Sequence, residues 1–123
     1  MPMSTYLRQR MSRQVLRGEP WTPPADVYTA LFSGDPTPDA TGPEGAVARQ
    51  VSDWTEPTAE GTATLTGPLV FPDSPAITYT HVGQFDAPTA GNMLTYGALT
   101  TPKTIAAGDA ATLAPDEYTV TFT

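Results

Sequence analysis

His81 is the single histidine among 123 residues, so a reaction that needs a side chain with an ordinary pKa near neutrality would depend on it. A serine hydrolase would join this histidine to a serine nucleophile and a carboxylate. The surrounding sequence has no GxSxG motif that would form a nucleophile elbow, and His81 falls in the middle of a predicted strand. We therefore interpret His81 as a structural or surface residue and predict no catalytic residue.

Carboxylates are the other reactive groups, with 13 Asp and Glu against six Lys and Arg. Three of them share one loop, but their spacing matches no calcium loop and the prolines between them restrict wrapping around a cation: Asp35, Asp39 and Glu44. Two close pairs could be the acid and base of a glycoside hydrolase, although sequence does not give their separation: Glu56 with Glu60, and Asp116 with Glu117. We expect solvated loop acids, no metal site and no enzyme activity.

Other kinds of site have less support. The sequence has no cysteine, which excludes disulfides, thiol nucleophiles and thiolate zinc sites. No glycine-rich loop follows a strand and opens a helix, so we expect no nucleotide and no other cofactor. Five aromatic residues could line a sugar-binding surface, although core packing is their commoner use: Trp21, Trp54, Tyr79, Tyr96 and Tyr118.

Charge is distributed unevenly along the chain. Residues 1–18 hold four arginines and no acid, whereas the remaining 105 residues carry a formal charge of −11. A nucleic-acid-binding protein needs a basic face supported by its fold, because affinity for phosphates depends on several Lys or Arg contacts. We therefore predict no nucleic-acid partner. No run of about 18 apolar residues is present for a membrane span, and the N-terminus lacks the apolar core of a signal peptide, so we also expect no membrane association and no secretion by a signal of its own.

The basic segment has the pattern of an amphipathic helix. Apolar residues recur at four-residue steps and draw a stripe along one side: Met3, Leu7, Met11 and Val15. Ser4 is a suitable N-cap and Gly18 a suitable stop. A helix of about 14 residues is marginal alone in water, so the stripe needs a surface to dock on. That surface is either the chain's own sheet, which we favour, or a neighbouring subunit.

After Gly18 the composition changes to one typical of β structure. Pro20, Pro23 and Pro24 cannot continue the helix, and short runs of strand-forming residues follow, separated by turns. The predicted strands are Val27–Phe32, Ala48–Asp53, Gly61–Phe71 with a break near Gly67 and Pro68, Ile77–Phe85, Met93–Leu99, Thr104–Ala106, Ala111–Leu113 and Tyr118–Phe122. The expected fold is mainly β, an antiparallel sandwich or barrel of about seven or eight short strands preceded by one amphipathic helix. We expect a helical arm at 1–19 and a β domain at 20–123.

Alternation within the strands predicts which residues share a face. Val27–Phe32 is expected to be buried on both faces. In Ile77–Phe85 the odd-numbered residues, Tyr79 among them, should lie on one face and Val82 and Gln84 on the other. The segment Asp86–Asn92 predicts a hairpin connection. In the last strand Tyr118, Val120 and Phe122 should be buried.

The succession of motifs resembles a family of small virion proteins from tailed bacteriophages, whose members are often labelled tail fibre or minor structural proteins. The resemblance covers nearly the whole chain and rests on STYLRQRMSRQVLRG, WTPPADVYTALFSGDPTPD, VARQVSDW and THVGQFDAPTAGNMLTYGALTTPKTIAAGD. It implies a non-enzymatic, β-rich virion component that is assembled in the host cytoplasm. Its partners would be other phage structural proteins, the major capsid protein or tail proteins, together with copies of itself in a homo-oligomer or multicopy assembly.

Within the virion, small size and the lack of coiled-coil or fibre-shaft repeats favour a capsid decoration protein that binds the major capsid lattice. The alternative is a small tail component, such as a tail-tip or fibre-associated adaptor. A carbohydrate-binding module and a hidden hydrolase are further alternatives. We expect the arm to form the interface, with the apolar residues anchoring it, the arginines meeting acidic surfaces and Trp21 setting its angle: Leu7, Arg8, Arg10, Met11, Arg13, Val15, Arg17 and Trp21.

Overall fold

The computed structural model describes residues 3–59 and 61–121. The predicted mainly β fold with one N-terminal helix is confirmed. The elements are α1 Thr5–Arg17, β1 Val27–Phe32, β2 Gln50–Ser52, β3 Thr62–Thr64, β4 Leu69–Phe71, β5 Ile77–Phe85, β6 Met93–Ile105, β7 Ala111–Leu113 and β8 Thr119–Thr121. Glu60 and Phe122, which entered the predictions above, lie outside the described residues.

Within the described residues, the strands form three antiparallel sheets packed as a sandwich. One sheet has four strands in the order β2, β1, β5, β6, and the two smaller sheets pair β3 with β8 and β4 with β7. The main core lies between the large sheet and the two smaller ones. Its buried members come from every layer: Leu31, Val47, Leu65, Phe71, Tyr79, Val82, Leu99, Ala111, Leu113, Tyr118 and Val120. Burying this apolar surface is the main force that holds the layers together.

A second, smaller apolar cluster occupies the other face of the large sheet. It consists of Ala30, Phe32, Phe85, Met93 and Tyr96. The rings of Phe32 and Phe85 stack with their centroids 6.1 Å apart. β1 contributes Leu31 to the main core and its neighbours to this cluster, which confirms that β1 is buried on both faces.

Two strand predictions are wrong in detail. The segments 93–99 and 104–106 are predicted as separate strands, but β6 runs continuously from Met93 to Ile105. The β5–β6 register shifts between Tyr79 and His81, where Tyr79 pairs with Lys103 and His81 with Ala98. This bulge changes the facing of the residues that follow, so Tyr79 and Val82 lie in the same core although simple alternation separates them. Pro102 falls within the irregular stretch of an edge strand, where a missing N–H is tolerated.

The predicted β5–β6 hairpin is confirmed. The Asp86 amide donates to the Asn92 carbonyl at 3.1 Å, and the Asp86 carboxylate accepts from the Asn92 amide at 2.7 Å. Gly91 adopts a φ of 69°, and a Cβ there would meet the Asp86 carboxylate at 2.5 Å. A glycine is therefore required for this turn to close.

Candidate functional site: the arm and its groove

α1 begins and ends where its sequence predicts. The Ser4 hydroxyl accepts a hydrogen bond from the Leu7 amide at 3.1 Å, which satisfies one of the free N–H groups of the first turn. Gly18 takes the left-handed conformation, with a φ of 66°, and its amide donates to the Arg13 carbonyl. The predicted cap and stop are confirmed, and the helix has 13 residues.

The first turn of α1 is held by hydrogen bonds to other segments of the same chain. The Ser4 amide donates to the Leu94 carbonyl at 2.9 Å, and its hydroxyl donates to the Met93 carbonyl on β6. The Thr5 amide donates to the Pro38 carbonyl at 2.9 Å. Leu7 is buried. The expected docking on the chain's own sheet is therefore correct for this end of the arm.

The other end of α1 projects away from the sandwich. Met11 is half-buried, whereas Val15 and Leu16 are 77% and 81% exposed. The favoured docking of the stripe on the chain's own sheet does not extend to Val15, because the contacts with the sheet are made at the first turn and the stripe leaves the sheet as the helix continues. The role of Val15 at an interface with a partner stays a prediction. Arg13 and Arg17 flank the exposed residues. We call Arg13, Val15, Leu16 and Arg17 the arm tip.

Residues 18–26, which link α1 to β1 and which we call the connector, contact the arm. The Trp21 ring packs edge-on against Tyr6 at 6.5 Å, and its Nε1 donates to the Tyr6 hydroxyl at 3.4 Å. Arg10 lies 5.3 Å from the centroid of the same Tyr6 ring. At the tip, Arg13 and Arg17 lie 4.0 and 3.9 Å from the Glu19 carboxylate, and all three side chains are at least half exposed. Such exposed pairs bind weakly, so the tip arginines stay available to a partner.

Arg8 occupies a different position, beside the acidic loop at the base of the arm. Burial raises the pKa of the Tyr96 phenol, Asp35 and Asp39 raise it further, and Arg8 opposes them. These groups therefore share one neighbourhood. Arg8 belongs with the anchored end of α1, while the cations at the tip face outward.

A groove of about 590 Å³ lies between α1 and the sandwich. This volume falls in the usual range for ligand pockets of about 300 to 1,000 Å³. Its lining is mainly apolar and includes both tryptophans: Leu7, Met11, Gln14, Trp21, Pro23, Pro24, Val27, Trp54, Thr55, Glu56, Pro57, Ala63, Gln84, Leu94, Thr95 and Val120. Glu56 is exposed within this lining, and the exposed Asp26 and Asp53 directly precede Val27 and Trp54 in the chain.

Gln84 is the polar group of greatest interest in this lining, and it is only 2% exposed. Its Oε1 accepts from the Thr95 hydroxyl at 2.6 Å and from the Tyr118 hydroxyl at 3.0 Å. Burial raises the pKa of the Tyr118 phenol, which keeps it a donor to Gln84. The Gln84 Nε2 is buried without a hydrogen-bond partner among the described residues. An unpaired buried donor destabilises the folded state. In the sequence, its only sign is one glutamine at the otherwise apolar end of the predicted strand Ile77–Phe85.

Three of the acids considered above as catalytic or metal-binding groups form other contacts: Asp35, Glu44 and Glu117. The Glu44 carboxylate forms a two-point bond with the Arg49 guanidinium, with both distances 2.8 Å, while the Asp35 carboxylate accepts from the Thr37 amide. Lys103 contacts the Glu117 carboxylate at 2.6 Å. Burial acts to raise the Glu117 pKa, but the hydrogen bonds from Lys103 and the Ala114 amide outweigh it and hold the pKa below its usual value.

The other predicted chemical residues are also placed by the fold. His81 Nδ1 lies 2.8 Å from the hydroxyl of Thr80, its neighbour in sequence. Across residues 3–59 and 61–121, no three His, Asp or Glu side chains are grouped so that they could hold a metal ion. Tyr79, Tyr96 and Tyr118 are buried, so they cannot form the sugar-binding surface considered above. In the same part of the chain, no helix is long and apolar enough to span a membrane.

Comparison with known proteins gives the family. The sequence matches the family described as "Podophage GP4 fiber I protein gp80" over residues 2–121. The chain belongs to this family. The predicted resemblance to tailed-phage virion proteins is therefore confirmed, and the chain is a fibre-type structural protein of a phage virion. No curated protein matches the chain. The fibre description supports the tail-component alternative better than the capsid-decoration interpretation.

Proposed function

We propose that this protein is a non-enzymatic component of the phage tail, associated with a fibre, which attaches to acidic surfaces of other structural proteins through its arm tip. The family match over residues 2–121 carries the assignment to the fibre apparatus. The arm supplies the means of attachment. It is fixed to the sandwich at Ser4 and Leu7 and presents two apolar side chains and two arginines to solvent.

The rigid anchoring of the arm favours binding. Because the first turn is hydrogen-bonded to β6 and Trp21 packs on Tyr6, the tip is held in one orientation before a partner arrives. Preorganisation lowers the entropy cost of association. The contact between Trp21 and Tyr6 supports the proposal that Trp21 sets the angle of the arm.

The location is tested by measuring copy number in purified virions and in emptied, tailless heads. A tail component should be present in the tail fraction and absent from the tailless heads. Hundreds of copies on tailless heads would instead establish a capsid decoration protein and overturn the proposal.

The arm is tested with phages that carry Arg13→Gln/Arg17→Gln. These variants keep the helix and the anchored first turn but remove the charge at the tip. Incorporation into virions should fall, while Arg8→Gln/Arg10→Gln, which removes the same charge nearer the anchor, should have the smaller effect. Equal incorporation of both double variants and wild type would refute an electrostatic role for the tip.

A further inference from the structure

We propose that a small cleft between α1 and the connector binds a carboxylated sugar, such as a uronic acid unit. The cleft lies beside the groove and has a volume of about 270 Å³. Its lining consists of Arg10, Arg13, Glu19, Pro20 and Trp21. Binding of a sugar there is separate from the attachment to other structural proteins and does not depend on it.

Helix geometry brings the two arginines of the cleft together. Arg10 and Arg13 are three residues apart on α1, a spacing that places side chains on the same face of a helix. Gly18 ends the helix in the left-handed conformation, and the Glu19 amide donates to the Arg13 carbonyl at 3.3 Å. The connector is therefore turned back toward the arginines, and Trp21 follows two residues later as part of the wall.

The cleft carries more positive than negative charge. It has two guanidinium groups and one carboxylate, on a chain whose formal net charge is −7. The Arg13 guanidinium lies 4.0 Å from the Glu19 carboxylate, which is beyond hydrogen-bond distance, and Arg10 lies 5.3 Å from the Tyr6 ring centroid. Among the described residues, neither arginine side chain has a closer polar partner. Two neighbouring guanidinium groups with free donors suit a carboxylate, which accepts paired N–H bonds.

Trp21 supplies an apolar surface for the sugar ring. Its side chain is partly exposed and lines both the groove and the cleft. Tyr6 fixes its position, because the two rings pack edge-on at 6.5 Å and the Trp21 Nε1 donates to the Tyr6 hydroxyl. The face of an aromatic ring is electron-rich, so the C–H groups of a sugar, which carry a small positive charge, pack favourably against it.

Glu19 determines which kind of anion suits the cleft. Its half-exposed carboxylate accepts hydrogen bonds, so a ligand beside it must bring donors as well as an anionic group. The hydroxyl groups of a sugar are such donors. A nucleic-acid strand would instead place further negative charge beside Glu19 and the acidic body. The volume lies just below the range of about 300 to 1,000 Å³ that is usual for drug-sized ligands, which suits one sugar ring.

The test is an NMR titration of the full-length protein with sodium glucuronate at constant ionic strength. The two tryptophans of the chain give two indole N–H signals, which Trp54→Phe assigns. Glucuronate should shift the Trp21 signal, with a dissociation constant of about 1 to 10 mM, and leave the Trp54 signal nearly unchanged. Glucose lacks the carboxylate and acetate lacks the ring, so each should bind at least about tenfold more weakly than glucuronate.

Paired variants test the role of the arginines. Arg10→Gln/Arg13→Gln should weaken glucuronate binding at least about tenfold, because it removes both partners of the carboxylate. The matched control, Arg8→Gln/Arg17→Gln, removes the same charge from α1 at positions that do not line the cleft, and it should change the affinity less than about twofold. All four side chains are exposed, and circular dichroism of each variant should show an unchanged helix content.

Several results would overturn the inference: no shift of the Trp21 signal up to about 50 mM glucuronate, equally tight binding of glucose or acetate, or equal losses in both double variants. Tighter binding of uridine monophosphate than of glucuronate would assign the cleft to nucleotides and overturn it as well. These outcomes are separate from failure of the proposed function. A protein that binds glucuronate but is absent from tails would overturn only the tail assignment.

Discussion

Replacing Arg49 with alanine should be among the most destabilising single changes to a charged residue in this protein. The guanidinium bonds Glu44 at two points, donates from Nη1 to the carbonyls of Ala87 and Ala90 at 3.0 and 2.8 Å, and lies 3.7 Å from the Phe85 ring centroid. Its side chain is 7% exposed. Arg49 therefore joins the segment before β2 to the β5–β6 hairpin and covers the smaller apolar cluster.

The expected loss of unfolding free energy is about 3 kcal/mol. Hydrogen bonds to charged groups contribute about 1.5 to 3 kcal/mol each, and a desolvated cation over a ring contributes up to about 2. Three effects make the net loss of unfolding free energy smaller than the sum of these contributions. Glu44 is one-third exposed and regains water, solvent replaces part of the carbonyl bonding, and alanine frees about 2 kcal/mol of side-chain entropy.

Urea denaturation of the variant should measure this loss, accompanied by a fall in Tm of about 10 °C. Arg49→Lys should lie between alanine and wild type, because it keeps the charge but not the planar fork. The matched control is Arg17→Ala, whose exposed side chain should change stability by less than about 0.5 kcal/mol. A loss below about 1 kcal/mol for Arg49→Ala would refute the bridging role.

Three further predictions concern the arm, the groove and an ion pair. Leu7→Ala should lower the free energy of unfolding, measured with denaturant, by about 2 to 5 kcal/mol. Leu16→Ala should change it by less than about 0.5 kcal/mol. Equal effects would contradict anchoring of the arm at its first turn alone. Tyr118→Phe should lower the free energy of unfolding by about 1 kcal/mol, because Gln84 loses one hydrogen-bond donor. An unchanged free energy of unfolding would mean that this hydrogen bond contributes no net stability. The lowered Glu117 pKa stabilises the fold above its unfolded value of 4.5, and this contribution is lost as pH falls through the folded pKa. Glu117→Gln should therefore reduce the fall in Tm as the pH is lowered into the acid range. An unchanged fall in Tm would contradict a stabilising role for the ionised Glu117 carboxylate.

Local patterns were enough to predict the helix and most of the strands. Ser4 and Gly18 act through backbone groups within one turn of the helix, so their roles can be read from neighbouring residues. β1 and β5 have the predicted bounds because turn residues stop them at both ends. The bulge opposite Thr80 was missed because it depends on how β6 pairs, and alternation within one strand carries no information about its partner.

The groove could not be predicted for a related reason. Its lining residues come from α1, the connector, β1, β3, β5, β6 and β8 and the residues after β2, so they converge only when the sheets pack. The spacing of apolar residues in the arm predicts an apolar stripe on the helix, but it does not predict the point at which the helix leaves the sheet. That point is set by the bonds of Ser4 and Thr5 to Leu94 and Pro38, between segments about 90 and 30 residues apart.

The position of these bonds explains why a short basic helix is useful on an acidic body. A helix of 13 residues is marginal alone, so an unanchored arm would lose order between binding events. Anchoring it along its whole stripe would bury Val15 and reduce the apolar surface left for a partner. Fixing only the first turn avoids both outcomes, because the helix stays formed while its tip remains exposed. Strengthening the contact between the tip and its own body should therefore stabilise the monomer and weaken its binding to structural partners.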